Sequence, residues 1–235
     1  YQTTFYRFAI GAAVVGSFLV ARGAMPRARN WRWLLVRGGC GAGAMLIYFH
    51  SITSLGVAKA TILLYTNVVW AALLAPVLLR DRVGARLWVA VGASFAGVCL
   101  VLAPAGGLAT VSRDDALALA AGLMGGVAVV AVKKVRDTDD TSTVFLALAG
   151  CGLALTAGPA IRAGLPTGGD IWALLLGIGV TGTLAKLLSD SAYRYVRGIE
   201  GAILSMLTPV VNVVAGPVIF GEQVSARGAL GSCLI

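Results

Sequence analysis

Charge is the scarcest property of this 235-residue chain: Asp, Glu, Lys and Arg together make up 12% of it, and there is a single histidine. An ordinary soluble domain carries roughly twice that proportion of charge. Too few charged side chains remain to cover a water-facing surface, which excludes a soluble globular enzyme and a disordered tail. Cysteine is also sparse. Cys40, Cys99, Cys151 and Cys233 all lie in apolar stretches and form no C-x-x-C pair, so they predict small packing residues, neither a disulfide framework nor a metal site. The lone histidine and the absence of H-E-x-x-H, G-x-S-x-G or paired mid-span aspartates argue against an intramembrane enzyme. Glycines cluster at 38, 39, 41 and 43, but no Gly-Lys-Ser/Thr follows and no strand precedes them, so a phosphate loop is excluded and no cofactor is expected.

What is there is apolar. Hydrophobic residues make up 58% of the chain, and mean hydropathy is +0.88. About 20 apolar residues span a bilayer as a helix. Eight runs qualify, at 4–21, 33–53, 58–79, 84–103, 114–133, 142–161, 170–189 and 199–220, and a ninth begins near Ser225. They are continuously apolar, not alternating, which excludes a transmembrane barrel. The fold class expected is all-α: a polytopic transmembrane helix bundle, with the lipid bilayer as its first partner.

The net charge of +9 raises the question of nucleic acid. The distribution of the basic residues answers it. Thirteen lie at the junctions after the first, third, fifth and seventh runs: Arg22, Arg27, Arg29, Arg32, Arg37, Arg80, Arg82, Arg86, Lys133, Lys134, Arg136, Arg194 and Arg197. The alternate junctions hold four, Lys59, Arg113, Arg162 and Arg227. That asymmetry is a topology signal, not a nucleic-acid footprint, and it places the first set in the cytoplasm and the visible N-terminus outside.

The sequence also resembles itself. A shift of 141 residues places Ile62-Leu63 on Ile203-Leu204, Val69 on Val210, Pro76-Val77 on Pro217-Val218, Val83 on Val224 and Ala85-Arg86 on Ala226-Arg227. Asp81 then meets Glu222, and a shift of 140 aligns Phe5, Arg22 and Pro26 with Phe145, Arg162 and Pro166. The expectation is two repeats, 1–104 and 105–235, from a ten-helix protein lacking here its first helix and most of its last. Five helices per repeat is odd, so the halves are expected to face opposite ways across the membrane, as in secondary transporters that bind substrate between inverted repeats.

Layout and local motifs together are similar to the drug/metabolite transporter superfamily, specifically its ten-helix EamA-like members. The stretches that carry the resemblance are 46–60 (LIYFHSITSLGVAKA), 63–75 (LLYTNVVWAALLA), Ala192-Tyr-Arg-Tyr195 and, longest, 202–225 with Pro209 and Gly221-Glu222. The first half departs from the pattern, with Asn67 or Val68 at the proline position and Arg80-Asp81 in place of Gly-Glu. The resemblance implies a central cavity lined by the helices 33–53, 58–79, 170–189 and 199–220, and a small-molecule substrate moved by alternating access.

Polar residues at membrane depth mark candidate sites. Lys59, Thr66, Asn67 and Trp70 share one helical face, as do Ser205, Thr208 and Asn212, and the repeat pairs Asn67 with Thr208. For Asn67, Thr208 and Asn212, substrate binding stands beside the plainer reading of polar contacts between helices. For Ser205 a bond to its own helix is expected. Lys186 either snorkels and pairs with Asp190 four residues on, or faces the cavity as the cation for an anionic substrate group. Tyr48 and His50 stand where they could line the exit, although a hydrogen-bonded helix residue is the plainer expectation for His50. Arg7 is expected to snorkel outward, and Glu200 to complement the macrodipole at the start of its helix.

None of the ten acids falls at mid-span, so facilitated export or exchange driven by the substrate gradient is expected, or else coupling through Asp190, Glu200 or His50. The substrate class expected is a small metabolite such as an amino acid or another small anion or zwitterion. A lipid or isoprenoid-type flippase is the alternative within transport, and a non-transporting intramembrane protein the alternative outside it. A homodimer is a candidate assembly. The Ala, Gly, Val and Arg bias suggests a bacterial inner membrane.

Overall fold

The protein is all-helical in its computed structural model, which describes residues 2–79, 84–102, 112–162, 164, 168–196, 198–208, 210–211, 230–231 and 233–234. Among the described residues eight helices follow in order: α1 Gln2–Ala21, α2 Trp31–Leu55, α3 Val57–Leu78, α4 Ala85–Leu102, α5 Arg113–Arg136, α6 Thr141–Arg162, α7 Gly169–Ala192 and α8 Gly198–Ser205. Seven of the eight expected runs are recovered to within three residues at either end. The eighth is described as far as Thr208 and again at 210–211; the rest of it and most of the ninth run lie outside the described residues. Among the described residues five helices (α1, most of α3, α5, α6 and α7) are long and apolar enough to cross a bilayer. Large apolar side chains such as Phe18, Val77, Leu174 and Leu188 point outward, the surface expected of a bundle solvated by hydrocarbon. It is a transmembrane helix bundle.

Helix ends follow local chemistry. Ser112 and Asp115 form a capping box at the start of α5: the Ser112 amide donates to the Asp115 carboxylate at 2.6 Å, and the Asp115 amide donates back to Ser112 Oγ at 3.3 Å. The same helix has Asp114 and Asp115 in its first turn and Lys133, Lys134 and Arg136 in its last, as the macrodipole favours. The start of α2 is capped from elsewhere in sequence, since the Arg29 and Asn30 amides donate to Asp139 at 2.7 and 3.3 Å. Between α2 and α3, Gly56 takes φ of 79°, a left-handed turn that lets α3 begin one residue after α2 stops.

The chain divides into two compact units, 1–46 with 131–196 and 47–130 with 197–235. The division falls within α2 and within α5, so each unit takes helices from both sequence halves. In the first unit α1 packs on α6 and α7, and α6 on α7, around Phe8, Val15, Ala42, Phe145, Leu148 and Ala149. In the second, α3 packs on α4 and α8, around Val68, Ala71, Ala72, Ala75, Val91, Val98, Val130, Ala202 and Met206.

Close approach depends on glycine, because helices in lipid associate by packing and not by exclusion from water. A methyl group at Gly38 would stand 2.6 Å from Cys151 Sγ and 2.7 Å from the Ala147 carbonyl oxygen on α6, while at neighbouring Gly39 it would meet nothing. Gly38→Val is therefore expected to destabilise the protein by about 1–3 kcal/mol, and Gly39→Ala to be neutral or stabilising by up to about 1 kcal/mol. Thermal melts in detergent of the two variants beside wild type check the contrast.

Candidate functional site

Two groups of polar side chains stand inside the bundle, one in each unit. In the second unit the expected face of α3 lies along α5. Thr66 packs on Gly122, Asn67 on Gly125 and Trp70 on Gly126, where a methyl group would stand 2.6 Å from Trp70 Cβ. Thr66 turns its hydroxyl back to the Leu63 carbonyl at 2.6 Å, satisfying itself within its own helix. Asn67 and Trp70 are not so provided for. The Asn67 Oδ1 acceptor and the Trp70 Nε1 donor are both buried and have no hydrogen-bond partner among the described residues. They are three residues apart on one face of α3.

The other expected residues of this unit divide clearly. Tyr48 meets Thr61 at 2.9 Å. Thr61 gives its own proton to the Val57 carbonyl, so the Tyr48 hydroxyl donates to Thr61 and ties the end of α2 to the start of α3. His50 is exposed. Ser205 bonds back to Ala202 at 2.6 Å, the local role expected for it. The exposed Thr208 donates to the Ser205 carbonyl at 2.9 Å. Asn212 lies outside the described residues, as do Pro209 and Gly221-Glu222. Lys59, on the face of Thr66, Asn67 and Trp70, forms an ion pair with Asp115 at 2.8 Å. Glu200 sits in the first turn of α8, the favourable end for an acid.

In the first unit a charged cluster is built on α7. Lys186 Nζ and Asp190 Oδ1 are 2.9 Å apart, the i, i+4 pair expected from the spacing. Asp190 is fully buried and is shared: Arg37 of α2, itself 4% exposed, brings Nη2 within 3.4 Å of both carboxylate oxygens. Sequence reasoning missed Arg37, counting it among the cytoplasmic topology residues. Its position seven residues into α2, past Trp31 and Trp33 and just before a glycine run, was the available signal. Gly41, one turn further on, leaves the space into which the Arg37 guanidinium folds.

Arg7 also departs from expectation. It does not reach outward to the near end of α1. Its guanidinium lies against Gly182 of α7, where a methyl group would stand 2.8 Å from Nε, one turn before Lys186. At the end of the cluster Tyr193 is buried, and desolvation together with the Asp190 charge pushes its phenol up to about 12, so it remains a protonated donor at neutral pH. No group of three or more metal-ligating side chains occurs among the described residues.

Removing Asp190 would leave Arg37 and Lys186 facing each other, whereas removing Lys186 would leave an Arg37–Asp190 pair intact. Asp190→Asn is therefore expected to cost about 3–5 kcal/mol, the usual penalty for breaking a buried pair, and Lys186→Gln distinctly less. Thermal or denaturant unfolding of both variants in the same detergent measures the ordering.

Comparison with known proteins gives this arrangement a family. A solved crystal structure superposes with a TM-score of 0.82 at 22% identity, covering 99% of this chain and 83% of that one, which shows the fold. A riboflavin transporter of Vibrio cholerae is 26% identical over 97% of this chain and 78% of its own length. The pseudopaline exporter CntI of Pseudomonas aeruginosa is 23% identical over the whole chain and 82% of its own length. Residues 1–103 and 113–235 each match the EamA-like transporter family. The chain belongs to that family, within the drug/metabolite transporter superfamily, and is a multi-pass membrane transporter of small molecules.

Proposed function

We propose that the protein is a secondary carrier of the bacterial inner membrane that exports a small metabolite, an amino acid or another small anion or zwitterion, by alternating access. The observation that carries this reading is the pair of unfilled buried polar atoms on α3, Asn67 Oδ1 and Trp70 Nε1. A buried acceptor or donor without a partner costs about 1–3 kcal/mol, and packing alone gives no reason to keep two of them three residues apart. A substrate that offers a donor to Asn67 and an acceptor to Trp70 relieves both. The same atoms speak against a purely structural role as polar contacts between helices, because a structural contact would be made.

Two inverted repeats, 1–104 and 105–235, supply the two conformations that alternating access needs. The absence of a mid-span acid from the sequence supports exchange or facilitated export over proton coupling. In the first unit Arg37 and Lys186 are tied to one another at Asp190. In the first unit, the cations Arg7, Arg37 and Lys186 suit a small metabolite with an anionic end.

Solute counterflow in proteoliposomes tests the reading. With a panel of amino acids and small organic acids, wild-type protein is expected to exchange at least one compound, and Trp70→Phe or Asn67→Leu to raise its KM about tenfold, the equivalent of one lost hydrogen bond. Both variants are expected to melt at or above the wild-type temperature, since each removes an unsatisfied group. A KM unchanged in both variants contradicts the assignment. Exchange abolished by a protonophore contradicts the uncoupled mechanism.

A further inference from the structure

The cluster on α7 holds more positive charge than it can neutralise from within. Arg7, Arg37 and Lys186 bring three cations, and Asp190 brings one carboxylate. Among the described residues Asp190 is the carboxylate in ion-pair range of Arg37 and of Lys186, and none is in range of Arg7. The pairing is also incomplete in detail: Arg37 approaches both oxygens of Asp190 at a long 3.4 Å, and its Nε is buried without a partner.

The path of the Arg7 side chain is the second observation. The start of α1 lies beside the start of α7: the Tyr6 ring packs edge-on against Trp172, centroids 5.1 Å apart. Ordinarily an arginine one turn into a spanning helix reaches back toward that end and keeps its charge at the interface. Helix geometry favours this, since Cβ atoms tilt toward the N-terminus. Arg7 instead runs the other way, past Ile10 on Gly179, to lie on Gly182. Gly182 is ten residues beyond Trp172, about 15 Å along the helix. The next residue on that stripe is Lys186. A guanidinium held at depth one turn from another cation is unfavourable unless an anion joins them.

We propose that Arg7, Arg37 and Lys186 form an anion-binding subsite whose ligand is the carboxylate of a small organic acid or amino acid. The carboxylate binds between Arg7 and Lys186, on the side of Lys186 away from Asp190. Asp190 keeps Lys186 and Arg37 in place, and Arg37 adds its positive charge from the Asp190 side. Gly182 is the floor: any side chain there would occupy the place of the Arg7 guanidinium. This deepens the carrier reading, on which it rests, by assigning the charged end of the substrate to named residues.

The test is binding by the full chain in detergent, with thermal stability as the readout. Sodium benzoate and sodium acetate are compared with sodium chloride at equal ionic strength, and with neutral benzamide. Wild type is expected to melt several degrees higher in the carboxylates than in chloride or benzamide. Arg7→Gln is expected to melt at or above wild type in chloride, because it removes an unpaired charge, and to need about tenfold more carboxylate for the same shift. Arg7→Lys is expected to recover part of that loss. The proposal is overturned if wild type shows no carboxylate-dependent shift, if benzamide matches benzoate, or if Arg7→Gln melts lower in chloride or fails to fold. It is equally overturned if Arg7→Gln keeps the wild-type response. Carboxylate binding without exchange in proteoliposomes would count against the carrier reading alone, and exchange without such binding against this subsite alone.

Discussion

One buried carboxylate governs the chemistry of the first unit. Asp190 is enclosed on every side, lies 2.9 Å from Lys186 and is shared with Arg37 from a helix more than 150 residues earlier. Charges at that depth are tolerated when paired and costly when not, so the positions of α2 and α7 are tied to this single group. Glycines at 38, 41, 179 and 182 let the helices and the long cationic side chains come together. Without them the bundle would have to open to admit Arg7 and Arg37, and the pairing at Asp190 would be lost.

The two units deal with polarity differently. In the second, the Asp115 carboxylate is held by Lys59 and by the Ser112 amide of its capping box. Thr66, Ser205 and Thr208 are satisfied by carbonyls of their own helix. Against this background the unfilled atoms of Ser51, Asn67 and Trp70 are exceptions. The same holds for the Arg37 and Arg136 Nε atoms in the first unit. Polar groups that a bundle leaves without partners while satisfying their neighbours are where a ligand would be bound, and in this protein they divide into a hydrogen-bonding set and a cationic set.

Much of this was legible in the sequence because its causes are local. Seven helices followed from runs of apolar residues, and their ends from the charges and glycines that interrupt them. The Lys186–Asp190 pair followed from a spacing of four, and the back-bonded Ser205 from a hydroxyl within a helix. The shared face of Thr66, Asn67 and Trp70 followed from helical periodicity, although the periodicity could not say that Thr66 would satisfy itself while its neighbours would not. What escaped was set by distant partners. Arg37 looked like one more cytoplasmic arginine because the residue that draws it inward lies on α7. Arg7 looked like a snorkelling residue because the glycine that receives it is 175 positions away. Lys59 showed its face but not Asp115. The two compact units, which mix helices from both sequence halves, are a property of tertiary packing that no repeat in the sequence announces.

The claim at the centre of this account is that the polar and cationic groups inside the bundle hold a substrate with a charged end. Counterflow by the reconstituted full chain, comparing small organic acids with neutral amides of the same shape, tests it most directly. The account predicts that an acid on one side of the membrane accelerates movement of labelled acid from the other, while its amide is carried far more slowly. Equal rates for acid and amide, or acid movement indifferent to acid on the far side, would contradict it.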